Sequence, residues 1–553
     1  MLGGNGFCIN SAFLEGAPQN LTPEQLFQKL EAALSRNALL EELNLRLDQR
    51  NLLLEEKIRL LLIKKYGSGA ETLSAAQLTL LELEPGVCAA EVAAEAALSP
   101  EDKALAQQLL AGAPSGKKRN RPVRAPLPQN LERKERTIHV PAKDCVCSQC
   151  GEAKKLIGYE TSERLAIKPV EFYVEVTKRE KLACSRCEEM GVSTAPVPAT
   201  IIEKGILADN FVVETVLKKF EDHQPLYRQA VGIQRDAQIE VSQATLSSSV
   251  LKVGELLFGV VELLRGELLS GAYIQADETT VSVQSERTKG KNHQAYLWVY
   301  SLPGGAVVYD FKMGRSREGP AHFLVGFEAR LQSDGYAAYD KIGGPGLLHF
   351  GCWAHVRRKF MDASKLDVRD ARSVAVVGAI GKLYELERVA REGGLTHLER
   401  EALRLRECPA LLASLKALLT QSGAGALPKS ALGRACSYAL KQWERLERYA
   451  AVGNGMVEID NNWAENAMRP IALGRKNWIQ IGSEGSGPKV AAILSVMATC
   501  KRLGIKARDY LLEVLPLLSY RATRPWVEGL MPLEELTPGA WQRARAKAEE
   551  TLA

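Results

Sequence analysis

The sequence predicts a multidomain chain, with an α/β domain in its C-terminal half that carries an all-helical insertion. A coiled-coil helix, a cysteine-bearing ribbon and a helical segment precede that domain. Three observations predict this layout. Leucines recur at seven-residue intervals near the N-terminus, two Cys-x-x-Cys pairs bracket a β-like stretch, and strand-patterned runs begin abruptly near residue 272. A chain of 553 residues has room for roughly three or four such domains.

The first element is a helix over residues 21–66, within a coiled-coil region 1–66. Leu26, Ala33, Leu40, Leu47, Leu54 and Leu61 form one heptad series, and Leu30, Asn37, Asn44, Asn51 and Ile58 form the other. These are the d and a positions of a zipper, and buried Asn at a sets register at a cost in stability. Arg36 with Glu41, and Arg50 with Glu55, fall at the spacing that ties two parallel helices together. The expected assembly is a homodimer or higher oligomer.

A linker, 67–136, follows, and its end, 116–136, holds eight Lys or Arg against two Glu. Lys117, Lys118, Arg119 and Arg121 make it a candidate phosphate-contacting arm; a solvated linker has the same composition. Residues 137–200 are expected to be a zinc ribbon. Cys147, Cys150, Cys184 and Cys187 have the spacing of a tetrahedral thiolate site, with Cys145 a possible substitute for Cys147. No open coordination position is evident, so the zinc is expected to be structural.

Residues 201–268 read as helical. A helix, a turn and a second helix opened by Ser242 form a candidate helix-turn-helix, although many helical hairpins share that pattern. From 269 to 520 the α/β domain is expected, with strands AYIQAD, TTVSVQ, AYLWVYSL and AVVYDF in order. A helix over about 319–330, strands RLQSD and LLHFGCW, and a helix from near Ala354 come next. The stretch 361–450 is helix-patterned throughout, and 463–520 is mostly helical apart from a glycine-rich loop. A short tail, 521–553, ends the chain.

Within this domain three acids stand out: Asp277 and Asp334, each read as ending a strand, and Glu465 near a helix start. Scattered carboxylates suit Mg²⁺, or Mn²⁺ in its place, because hard cations take oxygen ligands. Each also has a bland reading. Glu278 beside Asp277 points to the opposite face, Asp-Gly at 334–335 is a common turn pair, and Asn462-x-x-Glu465 resembles a capping box. Asp460 is an alternative third carboxylate. Arg357, Arg358, Arg469, Arg475 and Lys476 lie near these acids in sequence and are candidate DNA contacts. His355 is left outside the catalytic set.

Bulk properties are compatible with this reading. A net charge of +6 confines any nucleic-acid surface to local patches. No apolar run approaches the roughly 20 residues of a membrane span. Eleven cysteines, an odd number, favour a reducing cytoplasm.

The strings ADETTVSV, DGYAAYD, GCWAHVRRKF, DNNWAENAMRPIALGRKNW and VMATCKRLGIKARDYLLEVL resemble the insertion sequence 66 family of bacterial DDE transposases. CSQCGEAKKLIGYE and CSRC are similar to its zinc-binding segment, and DHQPLYRQ and the leucine-rich helix fit its layout. The resemblance spans about 21–525, and the linker 67–115 matches poorly. It implies an RNase H-like fold, the catalytic carboxylates Asp277, Asp334 and Glu465, double-stranded DNA as substrate, and accessory proteins of the same element as partners. A non-catalytic DNA-binding regulator and a nuclease without strand transfer are the rival readings.

Overall fold

The computed structural model describes residues 23–66, 171–183, 192–285, 291–367, 370–478 and 480–552. The chain divides into two compact units: one of residues 1–97, 196–230 and 242–553, the other of residues 98–195 and 231–241.

Helix α1 spans Pro23–Tyr66 as one element of 44 residues, as the heptads predict. The described heptad residues Leu40, Leu47, Leu54 and Ile58 are 45–56% exposed in the single chain. Leucines at heptad spacing form a seam that a second helix can bury.

In the second unit, β1 (Lys181–Ala183) and β2 (Val192–Thr194) form an antiparallel hairpin with Ala183 opposite Val192. Residues 171–180 are irregular and largely exposed, so of the β-like run EFYVEVTKREKLAC only Lys181–Ala183 forms a strand among the described residues. The alternation of EFYVEV has no partner strand among the described residues, and alternation alone does not hold a strand.

The helices α2 (Asp209–Phe220), α3 (Leu226–Ala237), α4 (Gln243–Leu256) and α5 (Phe258–Ser270) follow. The Ser242 side chain accepts from Thr245 N and caps α4, the start signal read in the sequence.

The main sheet runs β5-β4-β3-β6-β7, with β8 also paired to β3. Its strands are β3 (Tyr273–Gln284), β4 (Asn292–Ser301), β5 (Val307–Lys312), β6 (Arg330–Gln332), β7 (Leu348–Phe350) and β8 (Gln480–Ile481). β3, β4 and β5 are antiparallel, whereas β6, β7 and β8 join in parallel. AYIQAD and TTVSVQ are therefore one strand of 12 residues, not two. Only Glu278 separates the two runs, too little chain for a turn, and all of β3 from Gln275 to Gln284 pairs with β4. Asp277 lies inside that strand rather than at its end.

Helix α6 (Glu318–Phe323) is shorter than the expected 319–330. Gly326 adopts φ +75°, a left-handed conformation that a helix cannot continue through. Beyond β7 comes a block of helices: α7 (Trp353–Leu366), α8 (Ala371–Glu392), α9 (His397–Ala424), α10 (Ala431–Lys441) and α11 (Trp443–Glu447). Their core is continuous with the sheet, running from Tyr273 and Phe350 through Trp353, Phe360, Leu383, Leu415 and Trp443 to Ile459. Trp353 donates its indole N–H to Leu446 O at 3.0 Å and meets Trp443 edge to face at 5.9 Å. Large aromatics that bury both ring and N–H dominate such a core.

The last helices are α12 (Asn462–Trp478), α13 (Gly487–Arg502), α14 (Ala507–Thr523) and α15 (Pro538–Leu552). α13 covers the edge strand β5, where Ser495 and Thr499 accept from Tyr309 N at 2.8 Å and Val307 N at 3.0 Å. That satisfies an edge which would otherwise be open to pairing. Among the described residues no single helix is long and apolar enough to cross a membrane.

Candidate active site

One edge of β3 pairs fully with β4, but the other is shared. β6 takes Tyr273–Gln275 and β8 takes Ser282–Val283, which leaves a gap between them. Asp277 lies in this gap. The β3–β6 register, Gln275 opposite Gln332, brings Asp334 alongside Asp277 when continued two residues beyond β6. α12 lies over the gap: Asn461, just before it, donates to Ala276 O at 3.2 Å, and Arg475 donates to Thr280 O at 2.8 Å.

Three elements carrying the three acids are thus joined, and two buried glutamines join them. Gln275 and Gln332 are fully buried. Gln275 Nε2 donates to Gln332 Oε1 at 2.9 Å and to Asp460 O at 2.8 Å, while its Oε1 accepts from Ala464 N at 3.2 Å. Gln332 Nε2 donates to Gly351 O at 3.0 Å and Glu458 O at 2.9 Å, and its Oε1 also accepts from Tyr273 Oη. Both are two residues before an acid, in QAD and QSD. In a strand that spacing is one face, so this repeated Q-x-D was a legible signal that sequence reasoning missed.

The acids interact electrostatically. Burial raises the Asp277 carboxyl well above its usual range, and the charges of Glu465, Glu278 and Asp334 add to the effect. Asp277 Oδ1 accepts from Glu278 N at 2.8 Å. Glu278 itself binds Arg315 Nε at 3.0 Å and Tyr339 Oη at 3.0 Å, as its position on the opposite strand face requires. Arg315 in turn lies 3.9 Å over the Tyr336 ring. Asp334 Oδ1 accepts from Tyr336 N at 2.9 Å, so the turn role read for Asp334 is real and coexists with its place beside Asp277. Gly335, read as permitting a sharp turn, has no left-handed φ. It is small because a Cβ there would lie 2.9 Å from the Tyr438 ring of α10.

The capping box at Asn462-x-x-Glu465 does not form. α12 begins at Asn462, and its first turn is capped from outside by Asp460 Oδ1 and Gln275 Oε1. Glu465 faces α7 instead: Oε1 lies 3.3 Å from His355 Nδ1, and Oε2 accepts from Arg358 Nη2 at 3.1 Å. Asp460 is tied down, accepting from Tyr384 Oη at 2.9 Å, and burial pushes its carboxyl up to about 7.

Cys352 Sγ, His355 and Glu465 offer ligand atoms within 4.8 Å of one another. Burial pushes the Cys352 thiol well up, and it accepts from Asn461 N at 3.4 Å, so it is a packed thiol rather than a thiolate ligand.

Of the candidate DNA contacts, Arg358, Arg469 and Lys476 are exposed and Arg357 is half-buried. Arg475 differs, because its guanidinium is bound to Thr279 and Thr280 of β3 and acts as a strand clamp. Lys117, Lys118, Arg119, Arg121, Cys145, Cys147, Cys150, Cys184 and Cys187 lie outside the described residues. Strand β1 ends immediately before Cys184.

The class of protein, a transposase, comes from comparison with known families. The profile described as Transposase IS66 family matches residues 204–489. The zinc-finger binding domain of transposase IS66 matches 144–188, and a leucine-zipper profile described as transposase C of IS166 homeodomain matches 53–136. Two relatives come from Sinorhizobium fredii (strain NBRC 101917 / NGR234). The uncharacterized protein y4qI is 35% identical, covering 75% of this chain and 78% of its own length. The uncharacterized protein y4hP is 30% identical, covering 81% of this chain and 83% of its own. The chain belongs to the IS66 transposase family.

Proposed function

We propose that this transposase cuts and joins DNA at the ends of its own element, using Asp277, Asp334 and Glu465 as a divalent-metal site in an RNase H-like domain. The helical block 361–450 is then an insertion before the helix that carries Glu465. What supports the reading is that Asp277 lies buried in the gap of the sheet, its carboxyl held well above the usual range first by burial and then by the charges of Glu465, Glu278 and Asp334. All three donors are hard oxygens, the set that Mg²⁺ or Mn²⁺ selects, and a cation among them relieves their repulsion. Bound there, two such ions lower the pKa of an attacking water or 3′-hydroxyl and stabilise the leaving oxygen.

The chain's own residues supply the rest. Gln275 and Gln332 fix the strands that carry the aspartates, and Arg475 holds α12 against β3. Arg357, Arg358, Arg469 and Lys476 offer positive charge to the phosphate backbone beside the acids. Water attack nicks the element end, and attack by the freed 3′-hydroxyl joins it to target DNA. No covalent protein intermediate is required. Asp460, bound to Tyr384 and to the start of α12, is a structural carboxylate.

Cys147, Cys150, Cys184 and Cys187 would hold a structural zinc, and with the basic arm Lys117, Lys118, Arg119 and Arg121 would bind the element ends. The zipper would pair two protomers so that both ends are handled together. Incubating the full chain with a 3′-labelled duplex carrying the element ends, a target plasmid and Mg²⁺ tests the reading. Transposition predicts label joined to plasmid. Cleavage with no joining would leave a nuclease, and binding with neither would leave a regulator.

A further inference from the structure

His355 lies in the first turn of α7, a helix anchored in the core by Trp353, Val356 and Phe360, all fully buried. Its Nδ1 lies 3.3 Å from Glu465 Oε1. Both atoms are shielded from solvent, and neither makes a hydrogen bond, to the other or to anything else. Buried polar atoms without partners are costly, and at 3.3 Å a small adjustment of the ring brings this pair into hydrogen-bond geometry. A neutral imidazole with its proton on Nδ1 donates to the carboxylate. The other carboxylate oxygen, Oε2, meets Arg358, whose side chain is 47% exposed. One oxygen thus faces a ring on a helix held by the core, and the other a partly exposed cation.

We propose that His355 is a positioning residue for Glu465: Nδ1–H holds Oε1 and thereby aims Oε2 into the site beside Asp277 and Asp334. Arg358 covers Oε2 until a divalent cation replaces it. The inference rests on the metal-site reading given above. Fixing a ligand through its remaining oxygen is the task of an outer partner, whose removal typically costs 10- to 100-fold in metal affinity. No other residue of α7 shares the role, since Arg358 contacts the opposite oxygen.

The test is Mn²⁺ binding to the full-length protein, read by the paramagnetic resonance of free Mn²⁺, with thermal melting as a check on folding. His355→Ala should weaken Mn²⁺ binding roughly 10-fold or more. His355→Asn keeps an N–H at the Nδ1 position and should recover most of that loss. His355→Gln moves its N–H to the Nε2 position and should not. Unchanged Mn²⁺ affinity in His355→Ala, or equal recovery by Asn and Gln, would overturn the proposal. Glu465→Gln separates the two levels. If it binds Mn²⁺ like the wild type, the metal-site reading itself fails. If it loses Mn²⁺ while His355→Ala does not, only the role of His355 fails.

Discussion

Gln275 Nε2 lies 2.8 Å from the carbonyl oxygen of Asp460, a buried hydrogen bond across 185 positions of sequence. It ties the central strand to the segment that starts the helix of Glu465. The same side chain reaches Gln332 on the neighbouring strand, so one amide sets the mutual position of three acid-bearing elements.

Replacing that amide tests the arrangement. Gln275→Leu leaves Asp460 O without its partner, at about 1–3 kcal/mol, while Ala464 N keeps Asn461 O as acceptor. Chemical denaturation should show the loss, and Gln332→Leu, which orphans Gly351 O and Glu458 O, should behave alike. The double variant should cost less than the sum, because the two side chains share one network. Strict additivity would mean that the two glutamines act separately.

Gly335 offers a second test, because Tyr438 and Gln442 crowd it rather than its own backbone. Gly335→Ala should destabilise by about 1–3 kcal/mol through overpacking. Cleavage should fall further than stability, since the displaced residue adjoins Asp334. Tyr438→Ala in the same chain should relieve the clash and return part of the activity.

The helical block is held to the approach of Glu465 by a buried ion pair. Arg404 binds Glu387 at 2.7 Å and donates to the carbonyls of Tyr449, Asn454 and Val457. Arg404→Met should cost about 3–5 kcal/mol, because it strands the Glu387 charge inside the block. Adding Glu387→Leu should recover much of that loss in the same denaturation assay.

Asp460 makes stability depend on pH. Its carboxyl stands near 7 in the fold against an ordinary 3.8, mainly through burial. A raised carboxyl contributes stability that is fully present below its unfolded value and is lost as pH rises through the folded one. The Tm of Asp460→Asn should therefore gain on the wild type between pH 5 and pH 8. A gap that stays constant with pH would show that Asp460 does not titrate there.

Much of this was legible in the sequence, and the losses have physical causes. The heptads gave α1, Ser242 gave the start of α4, and the runs that become β3 to β7 were read from alternation, although their order in the sheet was not. β3 was split in two because acids in a strand interior look like a break, whereas here they lie where the sheet opens. β8 has only two residues and no pattern of its own; its partner β3 makes it a strand. The contact of Glu465 with His355 joins positions 110 apart and has no local signature. The cap at α12 comes from Gln275, so local rules assigned it to the wrong residue.

The most direct test of the account is metal-dependent 3′-end cleavage by four single variants: Asp277→Asn, Asp334→Asn, Glu465→Gln and Asp460→Asn. The first three should fold yet fail to cleave with Mg²⁺ or Mn²⁺, while Asp460→Asn retains cleavage. Cleavage by Glu465→Gln together with its loss in Asp460→Asn would contradict the assignment, and undiminished wild-type cleavage in EDTA would contradict the metal site itself.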